Sequence, residues 1–75
     1  MRGALIDGEV VRNIRISRGL PQKTLAALAE CDVKTIRHAE QGQRLDLATV
    51  KRIARALQTE LGRIVVDEEP DGING

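Results

Sequence analysis

Residues 22–42, with the sequence QKTLAALAECDVKTIRHAEQG, decide the fold because their pattern predicts two short helices joined by a tight turn. In the first segment, Leu25, Leu28 and Ala29 recur at the i, i+3, i+4 spacing of one helix face. Asp32 then supplies a side-chain oxygen that can cap a second helix, and the glycine that closes the stretch can end it.

The second of these helices has two faces of different character. Ile36 and Ala39 lie on one face, and the opposite face carries Val33, Lys34, Arg37, His38 and Gln41. Small apolar residues inside and a cationic outer face suit the DNA major groove. An ordinary solvated helix in a small bundle has the same periodicity, so the pattern alone leaves both interpretations open.

A longer ordered set of residues extends this pattern in both directions. It consists of Ile14, Arg15, Arg18, Gly19, Leu20, Gln22, Leu25, Ala26, Leu28, Ala29, Thr35, Ile36, Glu40, Gly42, Leu47, Val50, Ile53, Ala54 and Leu57. At these spacings the chain resembles the helix-turn-helix family of lambdoid phage repressors and Cro proteins, from about residue 8 to residue 64. The resemblance implies an all-α, compact four- to five-helix bundle with a central helix-turn-helix.

Three positions depart from the family pattern. Pro21 stands where the family usually has Ser or Thr, so the first helix of the pair lacks a capping side chain, although proline is accepted in a first helical turn. Glu30 stands where the turn usually has glycine, and Cys31 where it usually has an aliphatic residue. These departures bear on the angle between the two helices more than on the fold.

The resemblance and the outer face together assign the DNA contacts. Helix 33–41 is expected to enter the major groove of duplex DNA. The expected base-reading residues are Val33, Lys34, Arg37 and His38. The expected phosphate contacts are Gln22, which matches the family's phosphate-binding glutamine, and Lys23, Gln41, Gln43 and Arg44. In the resembled repressors an arginine of the first helix pairs with a glutamate late in the recognition helix, which implies an ion pair between Arg15 and Glu40.

Composition supports a small DNA-binding domain. The chain has 75 residues and no Phe, Tyr or Trp, so its core must consist of Leu, Ile, Val and Ala. The absence of aromatic residues argues against binding single strands by base stacking. Residues 1–58 hold 11 Lys and Arg against 6 Asp and Glu, a balance of +5, whereas residues 59–75 hold 1 against 5, a balance of −4. A basic body with an acidic tail fits a nucleic-acid partner.

Other function classes find no support in the sequence. One cysteine and one histidine cannot form a disulfide or a zinc site, and we expect Cys31 to be a small buried residue at the turn. No motif indicates an enzyme, a metal or a cofactor. No apolar run approaches the roughly 18 residues of a membrane span, and the N-terminus does not resemble a signal peptide, so we expect a cytoplasmic protein.

The chain divides into three expected segments. They are a flexible lead-in at 1–7, a helix-turn-helix domain at 8–66 and an acidic disordered tail at 67–75. Asp7 and Asp46 are expected to cap the helices that follow them. On the helix after Asp46, the expected solvent-facing charges are Lys51, Arg52 and Arg55.

The end of the domain suggests a homodimer. Leu61, Ile64, Val65 and Val66 carry more apolar surface than a short terminal helix can bury, and the β-branched run could extend as a strand with an unpaired edge. We therefore expect a dimer that forms through residues 61–66, at least on DNA, and that binds a palindromic operator.

The expected function is a repressor-like regulator of transcription that binds duplex DNA sequence-specifically. The alternatives are an antitoxin with a toxin as its partner, a protein-interaction module with the same fold, and the N-terminal DNA-binding domain of a longer protein.

Overall fold

The computed structural model describes residues 3–68, which form five helices and one three-stranded antiparallel sheet. In chain order the elements are β1 (Gly3–Ile6), α1 (Gly8–Ser17), α2 (Gln22–Leu28), α3 (Val33–Glu40), β2 (Leu45–Asp46), α4 (Leu47–Ala56), α5 (Leu61–Ile64) and β3 (Val65–Glu68). The expected helical bundle is present. The all-α class, however, is corrected by the sheet.

Side-chain caps set the starts of two helices. Asp7 Oδ1 accepts a hydrogen bond from the Val10 amide at 3.2 Å, and Asp32 Oδ1 accepts one from the Lys34 amide at 3.4 Å. Both caps were predicted. Asp46 occupies the position before α4, but its side chain makes no capping hydrogen bond, so that expectation is wrong.

The core is apolar and aliphatic, as the composition requires. On α4 the apolar residues recur at helical spacing and are buried, and Ile36 and Ala39 of α3 are fully buried as well; the buried stripe consists of Leu47, Val50, Ile53 and Ala54, with Leu57 at the end of the helix. On α2 the prediction fails at one position, because Leu28 is 57% exposed and Ala26 is buried in its place. The helix therefore presents Leu25 and Ala26 inward, with Ala29 buried just after its end, which brings its backbone close to α4.

The expected flexible lead-in is wrong for residues 3–6, which form the central strand of the sheet. The strand order is β2-β1-β3, and the side chains of Ala4 and Ile6 are 0% and 3% exposed. The amide of Asp7 also donates to the carbonyl oxygen of Ile64 at 2.8 Å. Burial of every second residue indicates a β-strand, but four residues are too few to distinguish a strand from a loop in the sequence.

Strand β3 is the partner that makes this arrangement stable. It runs antiparallel to β1, with Ala4 opposite Glu68 and Ile6 opposite Val65. The predicted extension of the chain after Ile64 is thus present, and its backbone is paired within the same molecule. The expected acidic tail begins inside this strand, and its residues 69–75 lie outside the described residues.

Helix α1 lies directly against the end of α3 because Gly8 has no side chain. A Cβ atom at Gly8 would lie 2.2 Å from the carbonyl oxygen of Glu40 and 2.7 Å from that of Ala39. Only glycine permits this approach of two backbones. The start of α1 therefore determines how α3 sits on the rest of the domain.

Candidate nucleic-acid interface

The turn between α2 and α3 spans residues 29–32. Its amide at Cys31 donates to the carbonyl oxygen of Ala26 at 2.9 Å, and Glu30 adopts a φ of 56°, in the left-handed region that favours glycine. The turn thus accepts Glu30 at a position where the resembled family usually has glycine, at the cost of local backbone strain. After the Asp32 cap the chain enters α3.

The outer face of α3 carries the predicted base-reading residues. Lys34 and Arg37 are exposed, whereas His38 is half-buried. Val33 is also half-buried and packs against the core, so only part of its side chain remains accessible. The structure thus places all four on one helix, with the two cations reaching furthest into solvent.

The predicted phosphate contacts fall on two segments beside α3. Gln22 and Lys23 open α2, and Gln41, Gln43 and Arg44 lie at and after the end of α3. Gly42, with a φ of 76°, turns the chain there. The Gln43 amide then donates to the His38 carbonyl oxygen at 3.0 Å, and its side chain donates to Gln41 Oε1 at 3.0 Å.

The ion pair implied between Arg15 and Glu40 is present in the structure. Arg15 Nε donates to Glu40 Oε2, and Arg15 Nη2 donates to Glu40 Oε1 at 3.2 Å. The two side chains are only 13% and 7% exposed, and Arg15 Nη1 also donates to the carbonyl oxygen of Leu20 at 2.9 Å. This two-point contact ties α1 and the loop after it to the end of α3.

Gln22 takes part in the same network, which the sequence did not predict. Its Nε2 atom donates to Glu40 Oε1 at 3.1 Å. The carboxylate of Glu40 therefore accepts hydrogen bonds from α1 and α2 and links both to α3. The partners are 18 residues apart, so no local spacing in the sequence indicates the contact.

Arg52 has a structural role that corrects its assignment to a solvated face. Its Nε atom donates to the carbonyl oxygen of Ala29 at 3.1 Å, and its Nη2 atom contacts Thr49 Oγ1 at 3.4 Å. The bond to Ala29 satisfies a carbonyl at the end of α2, which has no partner within the helix. Lys51 and Arg55 are exposed, as predicted.

Cys31 is half-buried beside this contact and packs against the core. Burial raises the pKa of its thiol, the nearby Arg52 guanidinium lowers it, and the Asp32 carboxylate raises it. Because burial is the largest of the three effects, the net pKa is raised and the thiol is neutral at neutral pH.

Residues 3–68 contain no cluster of three or more His, Cys, Asp or Glu side chains arranged to hold a metal ion. No helix in this range is long and apolar enough to cross a membrane.

Comparison with known proteins agrees with this geometry. The sequence matches a helix-turn-helix family model over residues 11–64. The fold is similar to the crystal structure of the restriction-modification controller protein C.AhdI from Aeromonas hydrophila, with a TM-score of 0.70 and 35% sequence identity. The similarity covers 75% of this chain and 86% of the controller protein. A comparison with curated proteins gave no match.

Proposed function

This chain belongs to the helix-turn-helix family of the λ-repressor and Cro type and is a DNA-binding transcriptional regulator, and we propose that it reads duplex DNA by placing α3 in the major groove. The observation that supports this placement most strongly is the exposed cationic face of α3. The opposite face is held by fully buried Ile36 and Ala39. Such a regulator acts on the chromosome, so we place it in the cytoplasm.

Each residue on the outer face has a chemical role in this proposal. Lys34 and Arg37 donate to O6 and N7 of guanine, and the accessible part of Val33 contacts a thymine methyl group. The imidazole ring of His38 carries nitrogens that can donate or accept, so it can pair with more than one base edge. Together these residues span two turns of the helix.

The flanking residues bind the sugar-phosphate backbone and set the register of the helix. We assign this role to the residues at the start of α2 and around the end of α3, namely Gln22, Lys23, Gln41, Gln43 and Arg44. Amide and cationic side chains suit phosphate oxygens and carry no base preference. The pair formed by Arg15 and Glu40 holds α3 at the angle that these contacts require.

A dimer through the end of the domain completes the proposal. One recognition helix reads only a few base pairs, which is too little to select a site among the roughly 10⁶ or more competitors of a genome. Because β3 is an outer strand of the sheet, the edge that faces away from β1 can pair with β3 of a second copy. Val66 is 62% exposed on this strand. Two copies would then read half-sites about one helical turn apart.

Fluorescence anisotropy with labelled duplexes tests the DNA-reading role. We expect Lys34→Ala to lose about 1–3 kcal/mol of preference for the selected site over random duplex, because a base contact is removed. Lys51→Ala is the matched control, since Lys51 is also exposed but lies on α4. An equal loss on both duplexes would mean that Lys34 binds phosphate. If no salt-dependent binding to any duplex occurs, the fold serves as a protein-interaction module instead.

Sedimentation equilibrium with and without a palindromic duplex tests the dimer. We expect two copies per palindrome, and a weakened assembly in Val66→Lys. Leu28→Lys is the control, because Leu28 is 57% exposed and lies on α2 and not in the sheet. One copy per palindrome, or equal effects of the two substitutions, would remove β3 from the interface.

A further inference from the structure

An open pocket of about 390 Å³ lies where α1, α2 and α3 meet on the surface. Its lining consists of Arg12, Arg15, Gln22, Arg37, Glu40 and Gln41. Three arginines and one glutamate give the pocket an excess of two positive charges. A concave cationic site of this kind concentrates anions.

The charges in the pocket divide into a paired set and a free set. Arg15 and Glu40 neutralise each other, and Gln22 donates to the same carboxylate. Arg12 and Arg37 are exposed, and their guanidinium groups form no hydrogen bond or ion pair with any other residue in the 3–68 range. The excess charge of the pocket therefore comes from these two residues, one on α1 and the other on α3.

We propose that this pocket binds one phosphate of the DNA backbone and that Arg12 is the residue of α1 that holds it. The inference rests on the proposed placement of α3 in the major groove. That placement brings the wall formed by α3 against DNA, and helix-turn-helix proteins pass an earlier helix across the backbone beside the groove. A guanidinium can donate two parallel hydrogen bonds to phosphate oxygens.

Gln22 adds a neutral donor to the same site. Its amide nitrogen carries two hydrogens, and the bond to Glu40 uses one of them. The second hydrogen is available to a phosphate oxygen. The carboxylate of Glu40 does not repel the anion strongly, because its charge is already matched by Arg15.

The alternative is that Arg12 simply keeps α1 soluble. Glu9 precedes Arg12 by three residues, a spacing at which helical side chains can pair, yet no ion pair forms between them in the described structure. The Arg12 side chain is therefore not held by Glu9 and remains available to an anion in the pocket. A role in solubility alone would not require this.

Salt titration of binding to a random duplex separates these two roles. Each phosphate contact contributes about 0.9 to the slope of log affinity against log salt. We expect Arg12→Gln to make this slope shallower by about one. The affinity deficit of the variant relative to the wild type should then shrink about 3.5-fold between 50 and 200 mM salt. The deficit at a given salt concentration should be the same on selected and random duplexes, and Arg12→Lys should retain most of the slope.

Arg55→Gln is the matched control, because it removes the same charge from an exposed position on α4 outside the pocket. It should leave the slope unchanged, and thermal unfolding should show all three variants folded. A wild-type slope in Arg12→Gln would overturn the proposal while leaving the role of α3 intact. A changed base preference would overturn it too, and absence of salt-dependent binding by the wild type would instead refute the proposed function.

Discussion

Replacing Gly8 by alanine tests whether the start of α1 fixes the position of α3. The new Cβ atom would lie 2.2 Å from the carbonyl oxygen and 2.5 Å from the carbonyl carbon of Glu40. Ordinary contacts begin near 3.4 Å, so the two helices must separate by about 1 Å. The atoms in the way belong to the backbone of α3 and cannot turn aside as a flexible side chain would.

The expected cost follows from the nature of this contact. Inserting a methyl group into a closely packed site costs about 1–3 kcal/mol, and the rigid partner favours the upper end of that range. The displacement also stretches the bonds between Arg15 and Glu40, which join the same two helices. For a domain of this size each kcal/mol corresponds to a fall of about 4–8 °C in Tm.

Chemical denaturation of Gly8→Ala beside Gly62→Ala is the appropriate assay. A Cβ at Gly62 meets no atom within 4 Å, and this exposed helical position should gain stability, by up to about 1 kcal/mol. We expect the two substitutions to change the free energy of unfolding in opposite directions with equal m-values. If Gly8→Ala is as stable as the wild type, α1 does not depend on this close approach.

Three further predictions concern the ion pair, the sheet and the thiol. A double-mutant cycle on Arg15→Ala and Glu40→Ala should give a coupling energy of about 1–3 kcal/mol, and purely additive losses would show that the residues do not interact. Ile6→Ala should cost about 2–5 kcal/mol because Ile6 is 3% exposed, whereas Leu28→Ala should cost about 0.5 kcal/mol, and equal losses would contradict the burial of β1. Burial raises the pKa of Cys31, so less of the reactive thiolate exists at any given pH. The alkylation rate should therefore reach its midpoint at a higher pH in the folded protein than in denaturant. A lower midpoint in the folded protein would be inconsistent with this environment.

Apart from the pair between Arg15 and Glu40, which the family resemblance implied, the features predicted correctly from the sequence depend on residues near one another along the chain. The caps at Asp7 and Asp32 act within three residues, and the buried stripe of α4 repeats every turn. The two faces of α3 follow from the same periodicity, because Ile36 and Ala39 lie one turn apart. Local chemistry thus determines the helices and the candidate interface.

The Asp46 cap and the burial of Leu28 are local expectations that failed, but the other features that were missed depend on contacts between distant segments. Strand β1 has four residues and becomes stable only by pairing with β2 and β3, which follow it by about 40 and 60 residues in the chain. The contacts of Gln22 with Glu40 and of Arg52 with Ala29 likewise join separate helices. The tight approach at Gly8 depends on the packing angle between α1 and α3, which no spacing in the sequence encodes.

Parallel selections from a pool of random duplexes, with the wild type and with Lys34→Ala, test the base-reading role of α3 most directly. We predict that the wild type enriches a short defined sequence. The variant should lose the preference at one base-pair position of each site and retain it at the others, because a single base contact is removed. No enrichment by the wild type, or the same consensus for both proteins, would contradict the assignment of α3 as the reading helix.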